Sequence, residues 1–366
     1  MNVNPGRLIG MTLAVILAIA FSAESAIAQG KGKGGGKPKD PPDPPPFTVV
    51  DLNEVQSQAW ALTEPDANDD ILASGMTWVG GRPQPIFWDV NTDGSFVPSY
   101  PGLPPGATEA SITDMNEFGV ITLTTQGAGA GWYLMPGGNY QQLPFPAGWG
   151  SAYGLNNFAD IVGVVGAVEW TDGALWTLDG GQYTAPLQFE FFYPEDITDN
   201  GLMIGRAYNA AEDRLEAARA WLDQNNELQV QLLGVLPGTS YSEADAMSSD
   251  GNWVVGTSGS KAFVWSSATG MMALGTLGGF ESRALAVNDS GQVVGWSNPR
   301  KGWYSQTAFI WENGVMTDLN DLAQTDHRPH LVFATCINNA GHIGGLTRTS
   351  RRISDQHGYI LIPNQP

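Results

Sequence analysis

The stretch ALAVNDSGQVVGWS, Ala284 to Ser297, has a near-copy, ADAMSSDGNWVVGTS, at Ala244 to Ser258. This repeated motif indicates the fold. Each copy places Asn, Asp or Ser and then Gly between two apolar segments. Such residues accept positive φ and hydrogen-bond their own backbone, which suits a tight hairpin turn. The β-branched pair after the turn, Val293-Val294 in the first copy quoted, favours a buried strand. The motif therefore predicts two antiparallel strands around a short turn.

The motif recurs along the whole chain after the first 46 residues, at intervals of 40 to 50 residues. Self-similarity at such a period is typical of a repeat architecture. We take the second residue of each copy as its anchor. The anchors are Asp66, Asn116, Asn156, Thr198, Ser248, Asn288 and Asn338.

Each unit continues with an apolar segment that in most copies ends in Trp, such as Phe309-Ile310-Trp311, and with a fourth strand such as Val315 to Leu319. Four antiparallel strands per unit predict an all-β fold, a seven-bladed β-propeller. A short helical pattern, Ala210 to Ala220, is expected to lie within a loop. Six or eight blades remain alternatives if the degenerate first unit is misread.

The two ends of the repeat region complement each other. The seventh unit stops after its third strand, at GYILIPNQP (Gly358 to Pro366). The segment VVDLNEV (Val49 to Val55) resembles the fourth strand of the sixth unit, MTDLNDL (Met316 to Leu322). We therefore predict a propeller closed by the N-terminal strand, which completes the last blade and removes an exposed sheet edge.

The N-terminal residues have the composition of an export signal and a linker. Arg7, the apolar run Leu8 to Phe21 and the small residues Ala26-Ile27-Ala28 predict a signal peptide over 1–28. Residues 29–46 form a Gly/Lys/Pro-rich linker, and 47–366 the propeller. The mature protein is expected to be secreted to the extracellular space, with the periplasm as an alternative, and no membrane insertion is expected after cleavage.

Composition limits the possible partners. The net charge of −20 opposes binding to nucleic-acid phosphates, so no nucleic-acid partner is expected. Cys336 is the single cysteine, so no internal disulfide can form and stability must come from an apolar core. No cofactor fingerprint is present, and we expect a monomer without a cofactor, calcium excepted.

The fifth and sixth units resemble the bacterial extracellular HAF repeat, named for a His-Ala-Phe element on the third strand. The residues that carry the likeness are KAFVWSSATGMMALGTLGG, from Lys261, and TAFIWENGVMTDLN, from Thr307. Lys261 and Thr307 stand where the family has His. The resemblance implies an exported β-propeller-like protein, and it implies no catalytic residues because the family has no settled activity.

The sixth and seventh units contain several of the few cationic side chains of the chain, together with aromatic ones. They lie in loops that a propeller places on one face. We call them the cationic rim. They are Arg300, Lys301, Trp303, Tyr304, His327, Arg328, His330, Arg348, Arg351, Arg352 and His357.

Arg binds carboxylate or sulfate in a bidentate manner, and an aromatic ring stacks on a sugar. The cationic rim therefore predicts binding of an acidic extracellular glycan or of a protein partner by a non-catalytic propeller. The alternative for these side chains is pairing with local carboxylates. A second function is a uronic-acid polysaccharide lyase, in which His327, His330, His357 or Tyr359 would move the proton. No spacing specific to a lyase is present.

The segment DVNTDG from Asp89 to Gly94 follows the alternating oxygen pattern of calcium loops. It predicts a weak calcium site with Asp89, Asn91 and Asp93 as ligands. Tyr100 stands where an EF-hand has its bidentate Glu, which excludes an EF-hand. The alternative is an ordinary hairpin turn between the third and fourth strands.

Overall fold

A computed structural model of the chain describes residues 46–52, 56–125, 131–145, 149–167, 170–179, 181–300, 306–323, 330–348 and 356–364. Seven four-stranded antiparallel sheets are present in this part of the chain, and they form the seven blades predicted from the repeat. The predicted signal peptide and most of the predicted linker lie outside the described residues.

The first strand of each repeat is the innermost strand of its blade and lines a central channel. It ends at the turn that the repeat motif forms. The innermost strands, for blades one to seven, are β2 (Ser57–Leu62), β6 (Ala110–Met115), β10 (Gly150–Leu155), β16 (Phe192–Ile197), β20 (Ser242–Met247), β24 (Gly278–Val287) and β28 (His330–Ile337).

The two middle strands of each blade carry most of the core between the blades. The second strands are β3 (Ile71–Val79), β7 (Ile121–Thr125), β11 (Ile161–Ala167), β17 (Met203–Asn209), β21 (Val254–Ser258), β25 (Val293–Pro299) and β29 (Ile343–Arg348). The third strands are β4 (Arg82–Val90), β8 (Gly131–Leu134), β12 (Trp170–Trp176), β18 (Arg214–Leu222), β22 (Lys261–Ser266), β26 (Thr307–Glu312) and β30 (Gln356–Pro363).

The outer strands are shorter and more exposed than the middle ones. They are β5 (Phe96–Ser99), β9 (Gln141–Gln142), β15 (Leu187–Phe189), β19 (Leu228–Gly234), β23 (Gly270–Ala273), β27 (Val315–Asp318) and, for the seventh blade, β1 (Phe47–Asp51). A two-stranded ribbon, β13 (Leu178–Asp179) and β14 (Gln182–Tyr183), and the helix α1 (Leu319–Ala323) complete the described elements. No helix in the described ranges combines the length and apolar character that a membrane crossing needs.

The predicted closure is confirmed. Strand β1 pairs with β30 in the antiparallel sheet of the last blade, with Val49 opposite Leu361 and Asp51 opposite Tyr359. The core of the first blade includes Leu52 and Ile360 next to Trp88, so the two chain ends share one apolar cluster.

Two details of the sequence interpretation are wrong. The Ala-rich segment predicted as helical forms a turn followed by β18, which pairs with β17 and β19, so sheet pairing overrides local helix propensity. In the first blade the residue equivalent to the other anchors is Thr63, because Thr63 accepts the bond from Asn338 that joins this blade to the last. Asp66 instead caps a longer turn that ends at Asp70.

A β-bulge interrupts the innermost strand of every blade, between Ala284 and Ala286 in the sixth. The bulge explains the glycine that ends the repeat motif. A Cβ on Gly295 would lie 2.0 Å from the Arg283 carbonyl oxygen, so in this blade glycine leaves room for the bulged strand, whereas the second blade accommodates Leu123 at the equivalent position. The bulge also turns additional side chains toward the channel, which places the candidate site.

Candidate functional site

The propeller has two unlike faces. The lower face carries the motif turns between the first and second strands. The upper face carries the turns between the second and third strands and the connections to the next blade, as predicted. Most anchors link neighbouring blades at the lower face, where Asn116 Nδ2 donates to Asn156 O (3.0 Å) and Asn288 Nδ2 to Asn338 O (3.2 Å). The anchors there are structural.

The central channel holds a cavity of about 610 Å³, lined by the innermost strands of all seven blades. It reaches the upper face at Trp78 and Gln356 and the lower face at Asn116 and Asn339. A volume of this size fits a small-molecule ligand or a short stretch of a polymer. We take the channel as the candidate site.

One side of the channel is aromatic. Trp60 and Trp78 come from the first blade, Trp296 from the sixth and Phe333 from the seventh. We call these four residues the aromatic wall. The rings of Trp296 and Phe333 meet edge to face, with centroids 6.1 Å apart, and both side chains are buried. This packing holds the two rings in fixed orientations.

Next to the aromatic wall, the channel has a charged wall of Glu195, Asp245 and Arg283, from the fourth, fifth and sixth blades, in which Arg283 pairs across β24 and β25 with Trp296. Arg283 Nη2 lies 2.6 Å from Asp245 Oδ1 and 3.0 Å from Glu243 Oε1. Behind it, Arg206 Nη1 lies 3.3 Å from Glu243 Oε2 and 3.6 Å from Glu195 Oε1. Three carboxyl groups therefore share two guanidinium groups.

Burial controls the protonation of these acids. It raises the pKa of Glu195 to about 7, although the Arg206 charge acts in the opposite direction. Burial likewise raises the pKa of Asp245, and the Arg283 charge opposes it. Deeper in the channel, Asp114 and Asp196 have raised pKa values because both are buried, and the Asp196 charge raises that of Asp114 further.

Four polar atoms on side chains that line the channel have no hydrogen-bond partner among the described residues. They are Trp60 Nε1, Trp296 Nε1, Arg283 Nε and Glu195 Oε1. The first three are donors and the fourth is an acceptor. Because buried polar groups are normally paired, this set of atoms requires an explanation.

The structure places the described part of the cationic rim on the upper face. Arg300 is exposed at the end of β25, and His330 lies opposite Arg348 across β28 and β29. His357 Nδ1 lies 3.3 Å from Asp51 Oδ1, which agrees with the alternative of pairing with a local carboxylate. Lys301, Trp303, Tyr304, His327, Arg328, Arg351 and Arg352 lie outside the described residues, so glycan binding by the cationic rim stays a prediction.

The tyrosine considered for the lyase alternative is not accessible. Tyr359 is fully buried in β30, and its hydroxyl donates to Phe333 O at 2.9 Å. A proton carrier must reach its substrate, so Tyr359 cannot serve as one.

The DVNTDG segment forms the hairpin turn between β4 and β5. Asn91 Nδ2 donates to Ser95 Oγ (2.7 Å), and Asp93 Oδ1 accepts from Ser95 N (2.8 Å). Hydrogen bonds from the side chain and then the backbone of Ser95 lower the pKa of Asp93. Asp89 lies on β4 with its side chain exposed. Calcium binding at these residues stays a prediction, and the turn itself is explained without an ion.

Sequence reasoning missed the channel residues. Trp60, Glu195, Asp245 and Leu285 share one repeat position, three residues before the anchor position, and all line the channel. A position count from the anchors could therefore have grouped Glu195, Asp245 and Leu285, but it would have missed Trp60, because the first anchor was placed at Asp66. Strand alternation alone could not have grouped them, because the bulge shifts the register at that position.

Solved structures confirm the fold. A catalytically inactive virginiamycin B lyase from Staphylococcus aureus, in complex with quinupristin, is 14% identical over 86% of this chain and 99% of its own, with a TM-score of 0.50. The β-propeller domain of the trilobed protease from Pyrococcus furiosus, reported to have an open velcro topology, is 11% identical over 84% and 96%, with a TM-score of 0.51.

At these identities the likeness establishes the propeller fold alone. No family model matches the sequence, and no curated protein matches it either. The resemblance to the HAF repeat stays a prediction.

Proposed function

We propose that the protein is an exported, non-catalytic binding propeller that takes a hydroxylated ligand, such as a short glycan, into its channel from the upper face. The observation that carries this proposal is the set of unpartnered polar atoms beside aromatic rings. A sugar hydroxyl both donates and accepts hydrogen bonds, so a hydroxylated ligand suits a lining whose side chains carry unpartnered donors and an unpartnered acceptor. The face of a sugar ring can lie on Trp60 or Trp78.

The charge of the channel lining supports a ligand without negative charge. The side chains that line the channel carry one guanidinium group and eight carboxyl groups. The carboxyl groups belong to Glu64, Glu109, Asp114, Glu117, Glu195, Asp196, Asp199 and Asp245. This balance opposes a polyanion inside the channel. Binding of an acidic glycan is therefore proposed only for the cationic rim, where the basic side chains lie.

A glycan array probed with the mature protein, with and without calcium, tests the proposal and identifies a ligand. The tightest oligosaccharide is then titrated against intrinsic fluorescence, since Trp60, Trp78 and Trp296 line the channel. We expect Trp296→Phe, which keeps a ring and removes the donor, to weaken binding about fivefold to tenfold, as for one hydrogen bond.

The matched control is Trp132→Phe. Trp132 Nε1 is also buried and without a partner, but Trp132 packs against the core of the second blade rather than lining the channel. Its replacement should leave the affinity unchanged. An array with no bound glycan, or equal loss in both variants, would contradict the proposal.

A further inference from the structure

The upper face carries exposed aromatic side chains on three consecutive blades. Phe191 precedes β16, Tyr241 precedes β20, and Phe280 lies near the start of β24. Tyr208, near the end of β17, stacks beside Phe191 with centroids 6.1 Å apart. Their exposed fractions are 58% for Phe191, 38% for Tyr208, 45% for Tyr241 and 63% for Phe280. We call these four residues the aromatic platform.

The aromatic platform is exposed and yet held in place. Tyr208 Oη donates to Asp213 Oδ1 (2.6 Å), and Tyr241 Oη donates to Gly259 O (2.9 Å). The backbone of Phe280 is held by Lys261 Nζ, which donates to its carbonyl oxygen at 2.6 Å. The two tyrosine rings fixed in this way lose little conformational entropy when a ligand binds.

Phe191 is kept in an unfavourable backbone conformation. Its φ is +61°, in the left-handed region that a bulky side chain rarely adopts. The equivalent residue of the first blade, Gln56, has nearly the same φ of +57° and is not aromatic. Phe191 and Gln56 share the position seven residues before the anchor, so this backbone conformation does not itself require an aromatic side chain. Glycine would relieve the strain, yet the fourth blade carries here a ring that pairs with the exposed Tyr208.

We propose that the aromatic platform binds an extended polysaccharide without negative charge, which crosses the channel mouth over the fourth, fifth and sixth blades. Exposed rings on three consecutive blades suit a polymer with a repeating sugar face; Phe191 and Tyr241 lie seven residues before their anchors, and Phe280 lies eight residues before Asn288. Glu190, Glu212, Asp213 and Glu281 are exposed beside these rings and oppose an anionic chain. This proposal deepens the proposed function by extending the ligand from one site in the channel to a polymer.

Native affinity electrophoresis provides the test, with hydroxyethylcellulose, glucomannan and soluble starch as uncharged probes. Carboxymethylcellulose serves as the anionic counterpart of the first probe. We expect at least one uncharged polymer to retard the wild-type protein and carboxymethylcellulose not to retard it. Absence of retardation by all three uncharged polymers would overturn the proposal.

The decisive variant is Phe191→Gly. We expect it to weaken retardation about tenfold or more and to melt no earlier than the wild type, since glycine accepts φ near +60° without strain. Phe280→Ala should weaken retardation as well. The matched control Gln56→Gly makes the same change at the same φ and should leave retardation unchanged.

Two other results would also overturn the proposal. Retardation that Phe191→Gly does not alter would show that the polymer binds elsewhere. A change from dimer to monomer in sedimentation, with retardation unchanged, would assign the aromatic platform to a contact between copies of the chain. The two proposals can fail separately. If only the proposal of a ligand in the channel is wrong, short oligosaccharides will leave the tryptophan fluorescence unchanged, while retardation by the polymer will still depend on Phe191.

Discussion

Replacing Leu52 by Ala tests the contribution of the N-terminal strand to closing the ring. Leu52 directly follows β1, is fully buried, and packs with Trp88 of the first blade and Ile360 of the last. Its backbone N–H donates to Gly358 O at 3.0 Å. The substitution leaves a cavity between the two blades, and we expect a loss of about 3 kcal/mol in the free energy of unfolding.

Urea unfolding followed by tryptophan fluorescence measures this loss. Thr48→Ala is the matched control in the same strand, because Thr48 is exposed and loses only a solvent-exposed hydrogen bond to Asn364 Oδ1, and it should cost less than about 0.5 kcal/mol. Leu319→Ala changes the corresponding, fully buried residue of the sixth blade and should cost about as much as Leu52→Ala. If Leu52→Ala were as mild as Thr48→Ala, the reasoning about closure would be refuted.

Four further predictions concern the anchors, the channel acids, the bulge and the turn. Asn288→Ser should lower the free energy of unfolding by about 1 kcal/mol. A serine still caps its own turn, as Ser248 does, but it cannot make the hydrogen bond to the Asn338 carbonyl oxygen. Urea unfolding that shows no loss would contradict this. Burial raises the pKa of Asp114, so its carboxyl group keeps its proton in the folded state at a pH where the unfolded chain has released it. The free energy of unfolding should therefore fall as pH rises from about 5 to about 8, and Asp114→Asn should flatten that slope. Equal slopes in the two proteins would refute the raised pKa. Gly295→Ala should cost about 2 kcal/mol or more in the same assay, because its Cβ would meet the Arg283 carbonyl, and a neutral result would mean that the bulge can shift. Millimolar calcium should leave the melting temperature unchanged, because Asn91 and Asp93 already bond to Ser95; a rise that Asp93→Ala abolishes would instead support the calcium site.

The fold was predictable because its determinants are local and repeated. The Asn-Asp-Ser-Gly turn from Asn288 and the Phe309-Ile310-Trp311 segment each report strand and turn chemistry within a few residues. Closure was predictable because the missing fourth strand had a visible copy at the other end of the repeat region. The first anchor was misplaced because the turn after Thr63 is longer than in the other blades.

The candidate site was less predictable because its parts come from different blades. The contacts among Glu195, Glu243 and the two arginines Arg206 and Arg283 join residues separated by up to 40 positions, and none has a motif. Which of these side chains reach the channel depends on the bulge, which appears only once the strands are paired. The exposed rings of Phe191 and Tyr241 carry no sequence signal either, because an aromatic residue before a strand is usually part of a core.

The crystal structure of the protein with the tightest oligosaccharide from the array would test the central claim most directly. The account predicts a sugar ring in the channel between Trp60 and Trp296, with a hydroxyl group within hydrogen-bond distance of Glu195 Oε1. A ligand bound only at the lower face, near the exposed Phe118 and Phe158, or only along the outer strands would contradict it.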